Sequence, residues 1–174
     1  MPLFLTGPRA AGKSTALRRA IAESGLRARG LRTCFDAPRD AQEKNLWLLP
    51  WDEEEDFAPV LCARVGPGGR VAFPEAFDGA GVRLLAAASE DPETDLIVID
   101  ELGFLEADAA SFRSFVLSLL AGRKPVAGIV RQGLGVWDRA PLGELWNMTD
   151  SDREIMPARL AARLRKIASI SRET

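Results

Sequence analysis

The sequence predicts an α/β fold of three layers, with helices on both faces of a mostly parallel central sheet. Three observations carry that prediction. A glycine-rich turn, Gly7 to Thr15, lies between a short apolar run at Pro2 to Thr6 and a helical pattern that begins near Lys13. The stretch Asp95 to Glu101 (DLIVIDE) is apolar on both faces, as a strand covered by helices on each side must be, and it ends in two carboxylates. Strand-like and helix-like stretches alternate along the chain, with a group of short strands inserted over about 45–73. Residues 1–174 are read as a single domain carrying that insertion.

The turn reads G-x-x-x-x-G-K-S. Gly7 and Gly12 allow backbone turns that a Cβ would block, and amides from Ala10 to Thr15 point inward as an anion nest at a helix N-terminus. With Pro8, Arg9 and Ala11 these residues form a phosphate-binding loop. In it Lys13 reaches the β- and γ-phosphates and the Ser14 hydroxyl binds Mg²⁺. A helix follows, with Leu17, Ala20, Ile21 and Ser24 on one face and Gly25 as its stop. Residues 31–36 (LRTCFD) read as a second strand, ended by Pro38.

Asn45 to Leu49, Val60 to Val65 and Arg70 to Phe73 are strand-like. They are broken by Pro50, by the acidic Asp52 to Asp56 and by Gly66 to Gly69, which suggests a β-meander appended to the sheet or extending it. Trp47, Trp51 and Phe57 are expected to pack this meander on the body, a partner surface being the alternative. Pro74 to Ser89 reads as a helix with Phe77, Leu84, Leu85 and Ala88 as apolar positions, weakened at first by Gly79 and Gly81.

Ligands of open parallel sheets bind at the carboxyl ends of the strands, so Asp100 and Glu101 are expected to face the same crevice as the loop. There Asp100 would hold Mg²⁺, and Glu101 would orient and polarise an attacking water. Asp108 is placed to cap a helix bearing Phe112, Phe115, Val116, Leu119 and Leu120, which Gly122 closes. Lys124 to Arg131 reads as a strand and Gln132 to Gly143 as a loop. Arg131 and Arg139 are candidates for neutralising transition-state charge, the alternative being ordinary surface arginines. Leu145 to Thr149 reads as a last strand, and Asp152 to Ser169 as an amphipathic helix with Ile155, Leu160, Leu164 and Ile167 inward.

Composition narrows the classes further. The net charge of -2 gives no basic footprint, so nucleic acid is not the default partner. Histidine is absent, which excludes imidazole triads and the usual zinc sites. Cys34 and Cys62 stand far apart and read as buried free thiols of a reducing cytoplasm. No signal peptide precedes the first strand and no apolar run is long enough to span a membrane, so a cytoplasmic protein without a membrane partner is expected.

The order of motifs resembles the small P-loop nucleoside-triphosphatase family that has thermophilic prokaryotic and human cancer-related members. The resemblance rests on Gly7 to Thr15, on Arg70 to Phe77 (RVAFPEAF) and on Asp100 to Glu106 (DELGFLE) running on to Phe112. A weaker match is Thr149 to Arg153 (TDSDR), similar to a Thr-x-x-Asn-Arg segment. The resemblance implies a RecA-like core of the additional-strand, catalytic-glutamate type. It also implies Mg²⁺-dependent hydrolysis of nucleoside triphosphates to diphosphates, with loose base preference. By matching position, Lys13, Ser14, Asp100 and Glu101 would carry the chemistry, with Arg153 near the nucleotide. Mn²⁺, another hard oxygen-seeking ion, is expected to substitute for Mg²⁺. Two departures bear on the base contacts and on any second substrate. Asp152 stands where the family has asparagine, and Cys34 to Arg39 (CFDAPR) lacks its Thr-x-Glu-x-Arg form.

Three functions follow. The leading one is hydrolysis of the β–γ bond of ATP- or GTP-like nucleotides. The second is a small-molecule kinase, with Arg139 in a lid and Asp36 or Arg39 holding the acceptor. The third is a slowly hydrolysing switch that signals to a protein partner through Trp47 and Trp51. Glu101 beside Asp100 favours water over a bound acceptor.

Overall fold

Eight strands form one sheet: β1 Leu3–Thr6, β2 Ala28–Phe35, β3 Lys44–Pro50, β4 Val60–Gly66, β5 Gly69–Ala72, β6 Leu96–Leu102, β7 Val126–Val130 and β8 Glu144–Asn147. The computed structural model describes residues 1–38, 40–52, 57–131, 133 and 137–173. Across the sheet the order is β5-β4-β3-β2-β6-β7-β1-β8. From β2 to β8 the strands run parallel, and β3 to β5 extend the β2 edge as an antiparallel meander. The expected fold class holds, and the meander joins the central sheet.

Side chains of a strand alternate between faces, and here both faces are covered. On one face α1 (Lys13–Ser24) and α5 (Met156–Glu173) pack Leu17, Ile21, Leu160 and Leu164 against Leu5, Val98 and Ile129. On the other, α3 (Val82–Glu90) and α4 (Ala110–Leu120) pack Leu85, Phe112 and Val116 against Phe4, Ile97 and Ile99. This double covering is why DLIVIDE carries no polar residue between its first aspartate and its end.

Several local expectations are corrected. The helix expected over 74–89 is divided into α2 (Pro74–Ala76), a π-helical stretch Phe77–Gly81, and α3. The wide turn buries Phe77 against Phe112, with ring centroids 5.5 Å apart, and carries Asp78 to α4. Asp78 Oδ1 accepts the Phe112 N–H at 2.8 Å, so Asp78 and not Asp108 serves the first turn of α4, whose N-cap is Ala109. At the chain's last turn, a 3₁₀ stretch Asp150–Asp152 precedes α5 and is closed by a capping box between Thr149 and Asp152. The helix register therefore starts at Met156. Ile155 is 53% exposed, while Met156, Leu160, Leu164 and Ile167 face the core.

Cys62 is buried, its thiol pushed up to about 12 by burial, but Cys34 is exposed. Pairing of β2 with β6 ends at Leu31, so Cys34 and Phe35 lie beyond the covered part of the sheet. Trp137, in the stretch read as a loop, is a fully buried core side chain. Trp51 and Phe57 pack on the two cores as expected. Of the acidic run only Asp52 is described, and it pairs with Arg29 at 3.1 Å. Glu53 to Asp56, Arg39, Gln132 and Leu134 to Val136 lie outside the described residues. Among the described residues no helix is long and apolar enough to cross a membrane.

Candidate active site

The turn between β1 and α1 has the curled backbone that an anion nest requires. Gly7, Ala10 and Gly12 have φ of 127°, 65° and 89°. A Cβ on Gly7 would stand 2.2 Å from the Met148 carbonyl oxygen, so only glycine fits there. Ala10 has no such freedom, and a non-glycine residue held in the left-handed region costs about 1–3 kcal/mol. Gly12 is the N-cap of α1 and supplies no side-chain cap, which leaves the first amides of that helix open to an anion. Lys13 Nζ donates to the Gly7 carbonyl at 3.0 Å and the Pro8 carbonyl at 2.6 Å. Burial lowers the Lys13 pKa; Glu101 raises it again and Arg131 pushes it further down. Arg153 lies over Gly12 and donates from Nη2 to the Ala10 carbonyl and to Asp150 Oδ1 at 2.9 Å. It braces the loop, and Ser14 and Thr15 stand exposed beside it.

The acidic pair sits on a break in the sheet. Against β7, Ile99 pairs with Gly128 but Leu102 pairs with Val130, so β6 carries one extra residue between them. In a regular strand neighbours point to opposite faces; a bulge re-aims them, and this one falls on Asp100 and Glu101. Asp100 is 5% exposed, and its Oδ1 has no hydrogen-bond partner among the described residues. Burial raises the Asp100 pKa. Arg18 opposes that, Glu101 adds to it, and the Thr33 amide and Ser14 hydroxyl draw it down. Glu101 is half-buried, with Oε1 paired to Arg131 Nε. The structure thus gathers Lys13, Ser14, Asp100, Glu101 and Arg131. Arg139 is not among them: it is exposed and lies outside the cavity beside Glu101.

That cavity, of about 80 Å³, is lined among others by Arg9, Arg70, Arg131, Phe104 and Glu106. Arg70, Phe104 and Glu106 had no assigned role in the sequence. The one signal was their place inside the RVAFPEAF and DELGFLE stretches. Glu106 is 3% exposed, and its two oxygens accept the Gly103 N–H at 3.1 and 3.3 Å. Burial pushes its carboxyl up to about 7. Asp36 lies in the β2–β3 hairpin. It accepts the Asn45 N–H at 2.8 Å, Asn45 Nδ2 at 2.9 Å and the Trp47 indole N–H at 3.2 Å, so its carboxylate is a hairpin brace.

A glycine loop at the carboxyl end of β1, an acidic pair at the carboxyl end of β6, and the single strand β7 between them define a P-loop fold of the additional-strand type. The family model described as NTPase matches residues 2–161. Nucleoside-triphosphatase THEP1 of Ignicoccus hospitalis is 32% identical over 133 residues, 73% of either chain. The protein of the same name from Methanocaldococcus jannaschii is 30% identical over 160 residues, 88% of this chain and 91% of that one. The crystal structure of THEP1 from the hyperthermophile Aquifex aeolicus shares the fold, with a TM-score of 0.72 over 94% of this chain and 99% of its own, at 18% identity. The chain belongs to this NTPase family.

Proposed function

We propose that the protein is a Mg²⁺-dependent nucleoside-triphosphate phosphohydrolase that cleaves the β–γ bond of ATP- or GTP-like nucleotides, releasing diphosphate and phosphate. The observation that carries the reading is Asp100 Oδ1, a buried carboxylate oxygen with no hydrogen-bond partner among the described residues. With Ser14 drawing on the same carboxylate, the donors are the oxygens a hard divalent ion takes, and substrate phosphates and waters would complete its shell. Ser14 and Asp100 would hold Mg²⁺, or Mn²⁺, which when bound draws charge from the phosphate oxygens.

The chain's own groups supply the rest. Open amides of the loop and of the first turn of α1 bind the phosphates, and Lys13 exchanges its two carbonyl partners for β- and γ-phosphate oxygens. Glu101 orients the attacking water and accepts its proton. Arg131, already against Glu101, holds that carboxylate and offsets charge on the transferring phosphoryl group. Asp36 is committed to Asn45 and Trp47, which leaves the kinase reading without its acceptor-holding carboxylate. The cytoplasm, where the free thiols of Cys34 and Cys62 stay reduced, is the compartment that goes with this function.

Product analysis tests the reading. Incubation with ATP or GTP and Mg²⁺ should yield diphosphate and inorganic phosphate; excess chelator should abolish turnover, and Mg²⁺ or Mn²⁺ should restore it. Release of pyrophosphate, or undiminished turnover in chelator, would contradict it.

A further inference from the structure

Among the described residues, neither Arg9 nor Arg70 makes an ion pair or a side-chain hydrogen bond, yet both line the cavity beside Glu101 together with Arg131. Three guanidinium groups in one cleft repel one another. Facing them are Glu101, already paired with Arg131, and Glu106, held under Gly103. The cleft therefore keeps a surplus of positive charge, next to the loop that binds phosphate, which an anion would offset.

Arg70 is also held in position. It sits on the edge strand β5, and its guanidinium carbon lies 4.8 Å from the centre of the Phe104 ring. Arg131 lies 5.9 Å from the same ring. An aromatic face attracts a cation without neutralising it, so Phe104 fixes Arg70 and leaves its N–H groups free for a ligand, while Arg131 is already paired with Glu101. The ring is 38% exposed and belongs to neither core cluster.

We propose that Arg70, carried across to the cleft by the meander, binds the terminal phosphate of the nucleoside triphosphate, and that Phe104 is its positioning residue. The proposal rests on the phosphohydrolase reading and adds to it a further group that distinguishes triphosphate from diphosphate. The loop amides hold the phosphates that both nucleotides share and Lys13 spans the second and third; Arg70, in the cavity beside Glu101, meets only the third.

Calorimetric titration of ADP and of a non-hydrolysable ATP analogue, each with Mg²⁺, tests this. Arg70→Gln should weaken the triphosphate analogue by about tenfold or more and leave ADP within about twofold of wild type. Arg70→Lys should recover part of the loss. Phe104→Ala should shift the triphosphate-to-diphosphate ratio the same way by less, and the double variant should be no worse than Arg70→Gln alone. Arg70 is exposed on an edge strand, so the Arg70→Gln and Arg70→Lys variants should keep the wild-type unfolding midpoint. An unchanged ratio in Arg70→Gln, or equal loss for both nucleotides, would overturn the proposal. Failure of the wild type to bind either nucleotide would instead sink the phosphohydrolase reading, and the proposal with it.

Discussion

Glu106 sets burial against charge inside the cleft, and the conflict has a measurable sign. Its carboxyl titrates near 7 in the folded protein against an ordinary 4.5. Between those values the folded chain binds more protons than the unfolded one, so stability falls as pH rises through the window. The loss should reach roughly 3 kcal/mol by pH 8, since each tenfold change in proton affinity is worth about 1.4 kcal/mol. Glu106→Gln keeps an acceptor for the Gly103 N–H but cannot ionise. We predict that urea unfolding of wild type weakens more steeply from pH 5 to pH 8 than that of Glu106→Gln. Asp100 adds a slope of the same sign to both proteins and cancels in the comparison. Parallel pH profiles would mean that Glu106 carries no charging cost. At this scale the gathering of Lys13, Ser14, Asp100 and Glu101 in one place was legible, because residue type and spacing mark them. Glu106 and Arg70 were not, because burial and approach across a meander are tertiary facts that no local spacing encodes.

Among the elements, the loop after β7 and the stretch after β6 depend on each other through Trp137. Its indole Nε1 donates to the Gly103 carbonyl at 3.0 Å, two residues past Glu101, and its ring fills the core. Trp137→Phe removes the donor and leaves a buried carbonyl unpaired, which should cost about 1–3 kcal/mol. Turnover should also fall, because Gly103 is no longer tied in place behind Glu101. Denaturant unfolding checks the first effect, and wild-type stability in the variant would show that the bond anchors nothing. Helices and strands themselves could be read from apolar periodicity. The bulge at Asp100 and Glu101 could not, since it exists only in the register with β7. Asp78 was hidden for a similar reason: an acceptor for a helix's first turn is sought next to that helix, and this one comes from a π turn 34 positions before Phe112. Ile155 was misplaced because the 3₁₀ turn shifts the start of α5.

For the molecule as a whole, strand order decides function. Placing β7 between β6 and β1 brings the carboxyl ends of the loop strand and the acid strand to one edge of a parallel sheet. Covering on both faces was legible in DLIVIDE; the order of strands and the reach of the meander were not, because neither leaves a mark on local composition. The central claim is that one crevice binds triphosphate through the loop and hydrolyses it through Glu101. Glu101→Gln tests it most directly, since Gln keeps the size and hydrogen-bonding reach of Glu but cannot take a proton. Titration with a non-hydrolysable triphosphate and measurement of phosphate release should be made on the same preparation. Affinity should stay near wild type while turnover falls by about a hundredfold or more. Turnover within a few-fold of wild type in Glu101→Gln would contradict the account.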